Sequence, residues 1–226
     1  MNGGVGRYEC PDDPVGSLPD SFVKISAGYR TREGGFTTED RASGVIVASN
    51  AILTHHHFYS DNVTPETLES VILRSADGQR ITARGEFSVI SGSELGGMHN
   101  GLTLIVFEDD FSGGSVAPMS GAGAHLNGED AQQSVRIGAK PGLYNTQIID
   151  GADEFEFNNN PFPGILVAPD QTVRGDSGAP LYVDGSVVGV NNQGDGQYGA
   201  ITNIPLIQYL INKVTEDLRG SNHGAQ

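Results

Sequence analysis

The chain has little of what usually staples, anchors or charges a protein. Of its 226 residues one is a cysteine, Cys10, and none is a tryptophan. A single thiol excludes an internal disulfide framework and a structural zinc site built on cysteines. Cys10 stands just ahead of Pro11 and Pro14, which marks it as a free surface thiol in a leading segment. Basic residues are also scarce: 13 Lys and Arg face 28 Asp and Glu, a formal charge of −15. Such a chain has no basic stripe with which to neutralise phosphates, which argues against nucleic acid and anionic membrane as partners. No apolar run approaches the roughly 20 residues that a membrane span needs. Residues 1–19 show neither the basic start nor the apolar stretch of a signal peptide, so none is expected in this chain. The compartment stays open, because a secreted protein whose leader has been removed and a cytoplasmic one both fit.

Turn chemistry is abundant. The 32 Gly and 11 Pro suit many turns and few long helices, while 37% hydrophobic residues suffice for a core. Short β segments recur between turn signals. They are expected at 22–28, 44–48 with 51–54 across Ser49-Asn50, 68–74 with 80–87 across a Gly-containing turn, and 102–108. A second series follows at 134–137, 145–149, 164–168, 181–183 with 187–190 across Asp184-Gly185, and 198–204. After Pro205, apolar residues at three- and four-residue steps predict one amphipathic helix over 205–219. The expected fold class is all-β: one domain over 1–226, with a leading segment 1–19, an N-terminal β half 20–118, a C-terminal β half 119–204, then the helix.

The most informative stretch is Arg174-Gly175-Asp176-Ser177-Gly178-Ala179-Pro180, followed by an apolar strand. A serine that attacks a carbonyl needs its hydroxyl at the tip of a tight turn, with backbone N–H groups aimed where the oxyanion forms. Gly175 lets the backbone approach a substrate closely, and its N–H and that of Ser177 are the candidate oxyanion donors. Gly, Asp and Ser are also ordinary turn residues, so a plain surface turn is the competing reading. Upstream, an apolar strand ends in Ile52-Leu53-Thr54-His55-His56-His57. An imidazole, with an unperturbed pKa of about 6.5, is suited to take up and return a proton near neutrality. Three adjacent histidines also admit a metal site, with His55 and His57 on one side of a strand, but no further Cys or His lies at a diagnostic spacing.

These two segments, in this order and 120 residues apart, resemble the trypsin/chymotrypsin-like serine peptidases. The run RGDSGAPL resembles that family's GDSGG-P nucleophile signature, and SGVIVASNAILTHHH resembles the hairpin and strand that end in the catalytic histidine. The resemblance covers roughly residues 20–215 and implies two six-stranded antiparallel β-barrels, a peptide or protein substrate and no cofactor or metal. It implies Ser177 as nucleophile, His57 as general base, and Gly175 and Ser177 as the oxyanion hole. His55 and His56 are then left to packing or hydrogen bonding beside the catalytic residue. In substrate binding it implies Gln171 at the base of the primary pocket, Asn192, Gln193 and Gly194 along the substrate backbone, and Gly199 with Ala200 on the far wall. A neutral amide at Gln171 argues against strict selection of Lys or Arg, and the small wall residues imply room for a medium or large side chain.

The pattern breaks at one place. Asn100-Gly101-Leu102-Thr103-Leu104 is similar to the family's strand that opens with the orienting aspartate, and it sets Gly101 at that position. A carboxylate there accepts the imidazole N–H and stabilises the imidazolium; in this family, which is the standard worked case, Asp→Asn lowers kcat about 10⁴-fold. Four readings stand: a Ser-His dyad, another acid such as Glu94 or Asp61 serving His57, an engineered inactivation, or a peptidase-like binding module that no longer cleaves. On the dyad reading, Gly101→Asp should raise turnover. No Ile-Val-Gly-Gly start is found, so Asp176 needs some partner other than a new N-terminus. The absence of disulfides makes bacterial or viral relatives the nearer likeness. Lastly, Asp150, Asp153, Glu154 and Glu156 near Asn158-Asn159-Asn160 suggest calcium ligands, although the spacing matches no defined loop and a solvated loop is the stronger expectation.

Overall fold

Branched and aromatic residues between glycine- and proline-rich turns leave little choice but pleated strands, and strands are what the chain forms. The computed structural model describes residues 13–82, 86–91, 101–120, 126–136, 140–151, 155–157, 160–162, 164–173, 175–194 and 199–203. Strand β1 (Phe22–Arg30) pairs antiparallel with β2 (Phe36–Ala48), which turns at Ser49-Asn50 into β3 (Ala51–His55) and a 3₁₀ turn (His56–Phe58). Strands β4 (Leu68–Ser75), β5 (Arg80–Ile81), β6 (Phe87–Ser91) and β7 (Leu102–Phe107) complete a curled sheet in the order β5-β4-β1-β2-β3-β7-β6. In the second half come β8 (Asp130–Val135), β9 (Gly142–Asp150) and a separate hairpin of β10 (Phe155–Phe157) with β11 (Asn160–Phe162). Then β12 (Ile165–Ala168), β13 (Pro180–Val183), β14 (Ser186–Gly194) and β15 (Gly199–Asn203) close with β8 and β9 into a six-stranded barrel.

The all-β expectation holds, with differences in detail: β8 runs over Asp130–Val135 where 134–137 was expected, and the hairpin of β10 with β11 was not expected. The N-terminal sheet has seven strands rather than six, because the stretch expected as one strand over 80–87 is divided between β5 and β6. Strand β2 starts at Phe36, eight residues before the expected Gly44. Its outer half carries Thr37, Thr38, Glu39, Asp40 and Arg41 and leaves Phe36 58% exposed, so no apolar alternation marks it in the sequence. The helix expected over 205–219 lies outside the described residues, as do Cys10 and Glu94. Turn chemistry reads as expected at Asp184 (φ 48°) and Gly185 (φ 74°), two consecutive left-handed residues that make the tight hairpin between β13 and β14.

Apolar side chains collect in three cores. One fills the N-terminal sheet around Ile25, Ile52, Phe58 and Ile105; another fills the barrel around Ile148, Ile165, Leu181 and Val188. The third lies between the halves, where Val45, Leu53 and Leu104 meet Tyr182, Val187 and Val190. The chain crosses over this junction at 117–120: Ala117 N–H donates to the Ile46 carbonyl (2.9 Å), and Val187 N–H donates to the Pro118 carbonyl (2.8 Å). Such a junction is a domain core in its own right, and its burial holds the two halves in one relation.

The Tyr182 phenol in this junction shares a hydrogen bond with Ser21 Oγ across the two halves (3.3 Å). Burial raises its pKa from 10.0 to about 12, partly offset by the Ser21 bond. The unfolded chain therefore loses this proton first, and stability falls as pH rises from about 10 to about 12. Over that window the wild type should lose about 2–3 kcal/mol more stability than Tyr182→Phe, measured by denaturant unfolding. Equal slopes in the two proteins would place the phenol in water.

Candidate active site

The turn before β13 is held from every side. The buried carboxyl of Asp176 accepts the backbone N–H of Arg136 on Oδ1 (2.8 Å) and that of Val173 on Oδ2 (3.1 Å). Both carboxyl oxygens of Asp176 thus have backbone donors. Three successive carbonyls are also engaged: Gly175 O by Arg136 Nη2 (2.9 Å), Asp176 O by Ala179 N–H (2.9 Å) and Ser177 O by Ser43 N–H (3.0 Å). Because a trans peptide is planar, the Ser177 N–H points opposite to the Asp176 carbonyl that Ala179 engages. Gly175 (φ 106°) and Gly178 (φ 82°) both adopt left-handed backbone that favours glycine. Arg136 falls inside the strand expected over 134–137, and nothing in its local sequence signals that it braces a turn 40 residues away.

The histidines come from the other half. Strand β3 lies between β2 and β7, with His55 paired to Leu102 in register, so its last residues arrive beside Gly101. His55 is fully buried, while His56 donates its N–H to the Gly101 carbonyl (2.8 Å) and lays its ring against that of His55, centroids 4.1 Å apart. Partial burial of the His56 ring lowers its pKa below 6.5, and a hydrogen bond to the Gly101 carbonyl pulls the other way. His57 sits in the 3₁₀ turn directly after; its side chain lies outside the described residues. The nucleophile turn is seated on this strand. A Cβ on Gly178 would collide with the Ser43 carbonyl and the Thr54 hydroxyl and come 3.0 Å from the His55 backbone nitrogen. Thr54 Oγ1 is itself fixed by donating to Ser43 O (2.6 Å).

Gly101 adopts φ +99°, and a Cβ there would lie 2.5 Å from His55 Nε2 and 3.1 Å from Asn192 Nδ2. The expectation that Gly101→Asp would install the missing acid therefore fails on space and on backbone: the His55 imidazole already occupies the position, and L side chains rarely adopt that φ. Asp61, the other suggested acid among the described residues, is exposed in the loop after the 3₁₀ turn.

The substrate-binding residues are only partly as expected. Gln193 pairs with Ala200 and Gly194 with Gly199, so the residues expected along the substrate backbone and those expected on the far wall are neighbours on β14 and β15. The space beside Gly194 is not open, however. A Cβ at Gly194 would collide with Asp170, whose carboxyl carbon would be 2.6 Å away. Asp170 is the buried group at this point, its Oδ1 accepting from Gln133 Nε2 (3.1 Å), Thr172 N–H (3.1 Å) and Thr172 Oγ1 (2.8 Å). Gln171 points its amide toward the Asn145 carbonyl (3.5 Å) and lies nearer the surface. The space that a side chain at 194 would take is thus filled by the Asp170 carboxyl. Asp153, Glu154, Asn158 and Asn159 of the suggested calcium cluster lie outside the described residues.

Gly178→Ala tests the seating of the turn. With a left-handed φ and a collision against backbone, it should cost roughly 2–4 kcal/mol in denaturant unfolding; a loss under about 1 kcal/mol would mean the turn is not clamped.

No family model and no curated protein matches this sequence. Solved structures do. Human heparin binding protein is 12% identical with a TM-score of 0.61, covering 90% of this chain and 96% of that one. An atomic-resolution structure of HBP is 13% identical with a TM-score of 0.58, covering 89% and 95%. The scabies mite inactivated protease paralogue S-I1 is 12% identical with a TM-score of 0.59, covering 91% and 100%. Identities this low carry the fold alone, and on that ground the chain has the chymotrypsin-like fold, two curled antiparallel β halves with the candidate site where they meet.

Proposed function

We propose that the protein is a serine endopeptidase in which Ser177 is the nucleophile and His57 the general base. The observation that supports this most is the seating of the nucleophile turn on the histidine strand, made by the Ser177 carbonyl on Ser43 N–H (3.0 Å) and by Gly178 against Thr54 and His55. The two halves of a nucleophile–base pair come from segments 120 residues apart in sequence, and a plain surface turn has no need to pack on the histidines. In the first step Ser177 Oγ bonds to the peptide carbonyl carbon as its proton passes to His57. The N–H groups of Gly175 and Ser177 receive the oxyanion, and the leaving amine takes the proton from His57. Water then repeats the sequence on the acyl-enzyme, returning the serine and releasing the new carboxyl group.

A peptidase-like module that holds a peptide without cleaving it is the rival, favoured by Gly101 and by the inactivated protease paralogue among the structures of the same fold. A fluorophosphonate probe separates the two. Stoichiometric labelling of the wild type, abolished in Ser177→Ala, is expected; an unlabelled wild type would establish the module.

Asp170 sets the substrate preference on this reading, because its carboxyl fills the space beside Gly194 and leaves a shallow pocket. A peptide-library cleavage profile should favour short side chains before the scissile bond, and Asp170→Ala should extend acceptance to larger apolar ones. A wild type that prefers large aromatic side chains would refute the shallow pocket.

A further inference from the structure

We propose that the buried imidazole of His55, seated against Gly101 and Asn192, is a positioning residue that orients the catalytic histidine in the place of a carboxylate. The proposal rests on the peptidase reading above and concerns what supports its base. Position 101 is where an orienting acid would be rooted. The point at which that side chain would begin lies 2.5 Å from His55 Nε2 and 3.1 Å from Asn192 Nδ2, so the volume an acid would fill holds an imidazole. The two residues are complementary. Glycine at 101, at φ +99°, makes room for the ring, and the ring excludes any side chain from 101. His55 is 0% exposed and stands at the end of β3, paired in register with Leu102, so its ring is held between β7 and β14 rather than free to swing into solvent.

Chemistry agrees with the placement. A neutral imidazole carries one N–H and one bare nitrogen. The bare nitrogen can accept the N–H of a second imidazole, which fixes that ring's tautomer and orientation as a carboxylate would. No net proton transfer to His55 is needed: the proton from Ser177 goes to His57 and from there to the leaving amine, while the hydrogen bond to His55 persists. What an imidazole lacks is the negative charge, so the imidazolium is stabilised less and catalysis is slower than with an acid. Groups that face His55 include Asn192, the Gly101 backbone and the tilted ring of His56, and none of these carries a fixed charge. A purely packing role is the alternative, and it predicts no effect on the base.

The test is the rate of fluorophosphonate labelling at Ser177 as a function of pH in the wild type, His55→Leu and His55→Gln, with thermal unfolding measured on each. His55→Leu should label about 100-fold more slowly, with the acid limb moved to lower pH because the imidazolium has lost its acceptor. His55→Gln, whose amide oxygen accepts a hydrogen bond, should recover most of the rate. Folded variants that both label at the wild-type rate with an unmoved acid limb would overturn the proposal. Should neither variant fold, the wild type decides: a through-hydrogen-bond coupling between two ¹⁵N-labelled imidazoles is expected, and its absence overturns the proposal. A wild type that does not label at all overturns the peptidase reading itself, a result distinct from unaffected His55 variants.

Discussion

Everything in the candidate site depends on a close backbone contact, that of Gly178 with the paired ends of β2 and β3. At this contact the turn from the C-terminal half lies against the Ser43 carbonyl, the Thr54 hydroxyl and the His55 nitrogen, leaving no space for a Cβ. A hydrogen bond from Ser43 N–H to Ser177 O fixes the register, and the shared core of Val45, Leu53, Leu104, Tyr182, Val187 and Val190 supplies the burial that keeps the two halves pressed together. The contact is directional where the core is not. Hydrophobic burial brings the halves into one relation, and the glycine contact then selects how closely the turn at Ser177 approaches the end of β3.

The turn itself is rigid for a second reason. Asp176 is buried, but its oxygens accept backbone N–H groups of Arg136 and Val173. A buried carboxyl without such donors would be costly, and with them it becomes a clamp. Arg136 adds its own side chain to the Gly175 carbonyl, so the adjacent residues Gly175 and Asp176 are both tied to one residue at the exit of β8. The donors that would stabilise a developing oxyanion are thus organised before any substrate arrives, which is what makes such donors effective.

The strands, the hairpin at Asp184-Gly185 and the nucleophile turn were legible because each has a local signature: alternation, paired left-handed residues, a Gly-Asp-Ser-Gly string. What escaped was long-range. The outer half of β2 carries polar residues on both faces, so nothing in its pattern says strand; its pairing with β1 from Ala42 to Phe36 is imposed by the neighbour. The burial of Asp170 is not legible either, because counting back from the serine cannot tell which of two adjacent side chains turns inward. Arg136 and the depth of Gly194 are equally invisible in one dimension, since each is defined by an atom from a strand far along the chain. The absence of an acid at position 101 was plain from the sequence; that an imidazole stands there instead was not.

That substitution has an energetic logic. An orienting carboxylate is a charge taken out of water, tolerable only if enough donors surround it. The surroundings of Gly101 offer an amide, a backbone turn and two imidazoles, and the chain already carries 28 acidic residues against 13 basic ones. An added buried negative charge would have to be desolvated there, in a chain whose net charge is already −15. A neutral ring in the same volume fills the space and can still accept a hydrogen bond, and it leaves the desolvation cost small. The loss falls on the transition state, where the imidazolium has only a dipole to face instead of a charge. On the peptidase reading, a site built this way would keep the stability of its fold at the expense of catalytic power, between a full triad and a scaffold that does not cleave.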